Sequence, residues 1–147
     1  MSLSTFGAIM GFAAEMVGRS VEVYRVAVSK AKNPVLRETL QALFAEEEKN
    51  HSLMEQTRRE NVTEMILEPI SGFNRSDYEA EVKMTDRAED TDLLKGALAL
   101  EEKEQRFFHD ASGKVPLPEV ARIFRKVAQK KEKNLAKLKS VGLNLLL

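Results

Sequence analysis

The sequence predicts an all-α fold, a four-helix bundle built of two helical hairpins joined by a long crossover. Three observations predict it. Proline, glycine and asparagine gather at Asn33-Pro34, at Pro69 to Asn74 and at Ser112 to Pro118, leaving long proline-free stretches between them. Within those stretches apolar residues recur at three- and four-residue spacing, the period of an amphipathic helix. Finally, PVLRETLQALFAEEEKNH from Pro34 and PEVARIFRKVAQKKEKNL from Pro118 align without a gap, as a duplicated helical hairpin would. At 147 residues one domain is expected, with core enough to need no covalent staples.

The first helix is expected over about residues 4–32. It is apolar on most of its circumference (Phe6, Ile9, Phe12, Val17, Val21, Tyr24), so it packs on several sides. Gly7, Gly11, Ala14 and Gly18 form a stripe of small residues, and Glu15 and Glu22 stand out against the apolar background. A buried glutamate needs a metal, a proton or a cationic partner to offset its desolvation. Pro34 opens the second helix, about 34–60, with Leu36, Leu40, Leu43, Phe44, His51 and Met54 on one side. Residues 61–90 break the rhythm and are too long for a tight turn. They suit a crossover from one end of a bundle to the other, with Ser76-x-x-Glu79 as the cap of a short helical piece. The third helix is expected over about 91–111 and the fourth over about 118–140, followed by an apolar tail, VGLNLLL, that would dock on the bundle or on a neighbouring subunit.

Composition narrows the chemistry. Twenty-three basic residues balance twenty-three acidic ones, so no strong field draws the chain to nucleic acid or to an acidic membrane face, and neither is expected as a partner. The absence of cysteine excludes disulfides, iron–sulfur clusters and cysteine-held zinc or iron. With only His51 and His109, a metal would rest on carboxylates, which suits iron or manganese better than copper. The N-terminus lacks the charged flank of a signal peptide, and a cytoplasmic location is expected.

The candidate chemistry lies on the helices. Glu48 and His51, three residues apart in the second helix, point to the same side one turn apart. Glu15 in the first helix, Glu101 and Glu104 in the third and Glu132 in the fourth complete a set with a carboxylate on every helix. Glu46, Glu47 and Glu102 read as solvated, although Glu47 falls near the apolar stripe. His109 reads as a charge at a helix C-terminus, and Tyr24 as core, with a hydrogen-bonding or redox role beside the site as the lesser alternative.

On Glu15-x-x-Gly18, AEEEKNH and Glu101-x-x-Glu104, the chain resembles the rubrerythrin branch of the ferritin-like di-iron carboxylate proteins over nearly its whole length. The resemblance implies that Glu15, Glu48, Glu101 and Glu132 bind or bridge two irons, with manganese as a second choice. It further implies that His51 and Glu104 exchange as ligands of one iron, and that Glu48, Glu101 and Glu104 serve the chemistry. The implied activity is peroxide reduction or ferroxidation, with peroxide or dioxygen as substrate. Without rubredoxin-type cysteines a separate electron-donor protein is needed, and a homodimer is expected.

The fourth helix departs from the pattern. In the favoured register it offers Glu132-x-x-Leu135, without the second histidine. Displaced by one residue it offers Lys131-x-x-Asn134, which puts an ammonium in ligand space and leaves one metal or none in a salt-bridged polar cluster. Two other readings follow: a ferritin-like bundle without catalysis that serves as an iron-binding or oligomeric interaction module, and a metal-free bundle, which requires the Lys131 register.

Overall fold

The computed structural model describes residues 3, 5–61, 70, 72–80, 82, 85 and 87–145. Its four long helices are α1 (Phe6–Lys30), α2 (Pro34–Asn61), α3 (Asp90–Ser112) and α4 (Pro118–Leu145). The all-α four-helix bundle expected from sequence is the fold observed. α1 pairs with α2 and α3 with α4 as hairpins, and the hairpins meet where α1 packs on α3 and α2 on α4.

The helix ends are set by local chemistry. Thr5 caps α1, its hydroxyl accepting from the Ala8 amide at 3.0 Å. Asn33 does the same for α2, its side-chain oxygen accepting from the amides of Val35 and Leu36 while Pro34 takes the first helical position. A reciprocal capping box between Glu89 and Asp92 starts α3. Asp90 then accepts from the amides of Lys32 and Asn33, both at 2.9 Å, and ties the α1–α2 turn to the second hairpin.

Two expectations shift at the edges. α4 runs on through Val141 to Leu145, so most of the apolar tail is helix rather than an appended strand of chain. Within the crossover the short helical piece is a single 3-10 turn, Arg75–Asp77, beginning after Asn74 without a side-chain cap, and Glu79 instead pairs with Arg75 at 2.8 Å. Pro69 and much of the expected crossover lie outside the described residues.

The core is divided in two along the bundle axis. One apolar cluster gathers Phe6, Ile9, Met10, Phe12, Met54, Phe107, Phe108 and Phe124, with Phe73 and Tyr78 of the crossover laid over it. Phe107 is its hub, in edge-to-face contact with Phe12 and Phe108, each at 5.1 Å between ring centres. The other cluster holds Tyr24, Leu36, Leu40, Leu43, Leu93, Ala97 and Leu138. Between them, at mid-height on all four helices, lies a layer of buried polar residues: Ser20, Glu47, Asn50, Glu101, Glu104 and Lys131.

A buried lysine–carboxylate cluster at the centre of the bundle

Lys131 of α4 is 0% exposed, and its ammonium is the centre of this layer. Nζ donates to Glu47 Oε1 at 2.7 Å and to Glu101 Oε1 at 3.0 Å, with Glu104 Oε1 at 3.6 Å. Neutral donors surround the carboxylates. Tyr24 donates its hydroxyl to Glu101 Oε1 at 2.6 Å, Ser20 to Glu104 Oε2 at 2.8 Å, and Asn50 its amide to Glu47 Oε1 at 2.9 Å. Asn134 bridges outward, donating to Glu46 at 2.8 Å and to Glu101 Oε2 at 3.2 Å.

Burial and charge set the protonation. Burial alone opposes a charge on Lys131, but Glu104, Glu47 and Glu101 outweigh it and hold the ammonium's pKa well above its ordinary value. Tyr24 is pushed up by burial and by the neighbouring carboxylates, and stays a neutral donor. Glu101 is raised by burial, against the pull of Lys131. Glu104 is raised well above the usual carboxylate range by burial and then by repulsion from Glu47. With both acids ionised, Glu47 Oε2 and Glu104 Oε1 are buried without a hydrogen-bond partner. A proton on Glu104 supplies the missing donor, and a hydrogen bond between these two side chains is among the causes that favour its protonated form.

Of the residues singled out from sequence, the structure brings Glu101 and Glu104 into this layer and places the others elsewhere. Glu15 points outward and pairs with Arg19 and with Arg75. Glu22 is exposed and pairs with Arg25. Glu48 is exposed. His51 is part-exposed beside Glu55, Nε2 to Oε1 at 3.7 Å, with its ring over Gly18. Glu132 is exposed and accepts from Gln105 at 3.2 Å. α4 therefore adopts the register that turns Lys131 inward, not the favoured one with Glu132 facing the axis. The cause is packing: Phe124, Val127, Lys131, Leu138 and Val141 lie on the one buried stripe of α4, and Glu132 is rotated off it by roughly 100°. Glu47 occupies the same place on α2, and sequence reasoning read it as solvated.

This set does not fit the expected metal pair. The ammonium fills the position on the bundle axis, α1 contributes the hydroxyls of Ser20 and Tyr24 in place of a carboxylate, and the amide of Asn50 stands where the imidazole of His51 was expected. Among the described residues no three His, Cys, Asp or Glu side chains converge as a bound metal requires. Nor is any described helix long and apolar enough to cross a membrane. Comparison with family models, curated proteins and solved structures finds no match to the chain.

Proposed function

We propose that the chain is a metal-independent, non-catalytic binding module on a ferritin-like bundle, in which Lys131 supplies from within the chain the positive charge that a metal pair would bring. The observation that carries this reading is the fully buried ammonium 2.7 Å from Glu47 and 3.0 Å from Glu101. Two divalent metals would have to displace it and would meet three carboxylates with no imidazole among them. Hydroxyl and carboxamide donors complete the layer around the ammonium. The metal pair of the di-iron peroxide reductase or ferroxidase implied by the resemblance is thus replaced by Lys131, and the polar layer serves to fix the register of the four helices. A buried ion cluster is well suited to that role and poor at adding net stability.

The test is elemental analysis after anaerobic loading with Fe(II), with the visible spectrum recorded after peroxide. The expected result is no stoichiometric iron, and a melting temperature unchanged by iron or by a chelator. Close to two irons per chain with an oxo-bridged ferric band would overturn the proposal and restore the di-iron enzyme.

A further inference from the structure

A crevice of about 300 Å³ opens between α1, α3 and the crossover, and runs from the surface down to the edge of the buried cluster. Its walls are apolar: Phe12, Met16 and Val23 from α1, Tyr78 and Val82 from the crossover, Leu100 from α3. The polar groups at its floor, Ser20 and Glu104, are already bonded to one another at 2.8 Å and ask nothing of an occupant. The demand is at the mouth, where Arg19, Glu79 and Lys103 lie. Arg19 is answered by Glu15, and Glu79 by Arg75. Lys103 donates to the backbone carbonyl of Asp77 at 3.1 Å and pairs with no carboxylate among the described residues. Among the described residues, a cation with no carboxylate partner thus sits at the entrance to an apolar slot at the lower end of the size range of small-molecule sites.

We infer that this crevice binds an amphipathic monocarboxylate, its hydrocarbon part between Met16, Val23, Tyr78 and Leu100 and its carboxylate on Lys103 with Arg19 beside it. The orientation follows from the two ends of the crevice: at the floor the Ser20 hydroxyl is spent on Glu104 and offers a carboxylate no donor, whereas the cations lie at the mouth. Hydrocarbon burial supplies most of the affinity, and the lysine selects the sign of the head group. The inference gives the binding module of the preceding proposal a ligand class, and it is read without reference to metal content.

Octanoate, octanol and octylamine serve as probes in titrations followed by NMR of the Met16 and Val23 methyl groups and by calorimetry. Octanoate is expected to bind saturably and at least about tenfold more tightly than octylamine or octanol. Lys103→Glu should lower octanoate affinity about tenfold or more while leaving the far-ultraviolet dichroism unchanged. Val23→Phe fills the slot from a part-exposed position and should abolish binding of all three. The inference is overturned if octanoate does not saturate by roughly millimolar concentration, if octanol or octylamine binds as tightly, or if folded Val23→Phe still binds. A metal-loaded chain that binds octanoate would sink the metal-free reading and keep this one; an iron-free chain that does not bind it would do the reverse.

Discussion

Replacing Lys131 by methionine tests the centre of the structure most directly. Methionine fills much of the same volume with an unbranched apolar chain, so the change removes a charge more than it opens a cavity. What remains is Glu47, Glu101 and Glu104, all at 1% exposure or less, facing one another across the axis without the cation that held them. Breaking a buried ion pair from one side costs about 3–5 kcal/mol. For a chain of this length that lowers the melting temperature by roughly 10–15 °C. It is also a large part of the roughly 5–15 kcal/mol that keeps a domain folded.

The pH dependence gives the argument its sharper form. The wild-type contribution of Lys131, whose folded pKa is raised, is fully present below about 10.5 and is lost as pH rises through the folded value. In the methionine variant the three acids can relieve their repulsion only by taking up protons. The folded state then binds more protons than the unfolded chain, and the deficit shrinks as pH falls from 8 towards 5. Urea denaturation at both pH values reads this. Adding Glu47→Gln to Lys131→Met should recover part of the loss, a coupling that a double-mutant cycle isolates. A variant within about 1 kcal/mol of wild type at pH 8, or a deficit independent of pH, would refute the electrostatic account of the cluster.

Glu104→Gln mimics the protonated acid. Because the folded pKa of Glu104 lies well above 4.5, its folded state keeps the proton after the unfolded chain has lost it, and its contribution falls as pH rises from about 4.5 towards the folded value. The glutamine variant should flatten that slope and gain about 1 kcal/mol at pH 8, measured by denaturation across the range. Tyr24→Phe deletes the 2.6 Å bond to Glu101 and should cost about 2 kcal/mol in the same assay, within the range for hydrogen bonds to charged groups. Gly18→Ala should stabilise by about 0.5–1 kcal/mol, because alanine favours the helix. The atom it crowds, His51 Nε2 at 3.1 Å, belongs to a side chain that is 41% exposed and can swing away. Gly142→Ala should gain nothing in a thermal melt, since its methyl would meet Leu94 Cδ2 at 3.0 Å inside the α3–α4 contact.

Helix number, order and most boundaries were legible because they depend on local chemistry: the Asn33-Pro34 and Pro118 starts, the Ser112-Gly113 stop and the apolar period all act within a few residues. Glu101 and Glu104 were singled out by their spacing, and they lie on the buried stripe of Leu94, Ala97, Phe108 and Ala111, which the sequence reading did not use to place them. Glu15 was misjudged because α1 is apolar nearly all round. On such a helix an isolated glutamate gives no sign of whether it faces the axis or, as here, two arginines at the surface.

The phase of α2 and α4 is the instructive case. Pairing Pro34 with Pro118 sets Glu47 against Lys131 and Asn50 against Asn134 as surely as it sets Glu48 against Glu132. The gapless alignment therefore holds in the fold. What it could not decide was which member of each neighbouring pair points inward, and the Glu48-x-x-His51 spacing pulled the choice one residue too far. The buried residues decide it. Along the middle of the buried face they include Leu36, Leu40, Leu43, Glu47, Asn50, Met54 and Thr57 on α2, with Thr39 beside them, and Val120, Phe124, Val127, Lys131, Leu138 and Val141 on α4, with Ala121 and Ala128 beside them. The α2 set follows alternating steps of four and three, and the α4 set does the same once half-buried Asn134 is counted between Lys131 and Leu138, the spacing of a helix seam against its neighbours; neither admits residue 48, 51 or 132. Once that seam is kept through its polar stretch, equivalent positions of the two hairpins carry a carboxylate and an ammonium. Charges of opposite sign at equivalent places meet across the axis at 2.7 Å. A bundle so arranged closes its own centre with its own side chains, and the nearest space left for a ligand is the crevice at its flank.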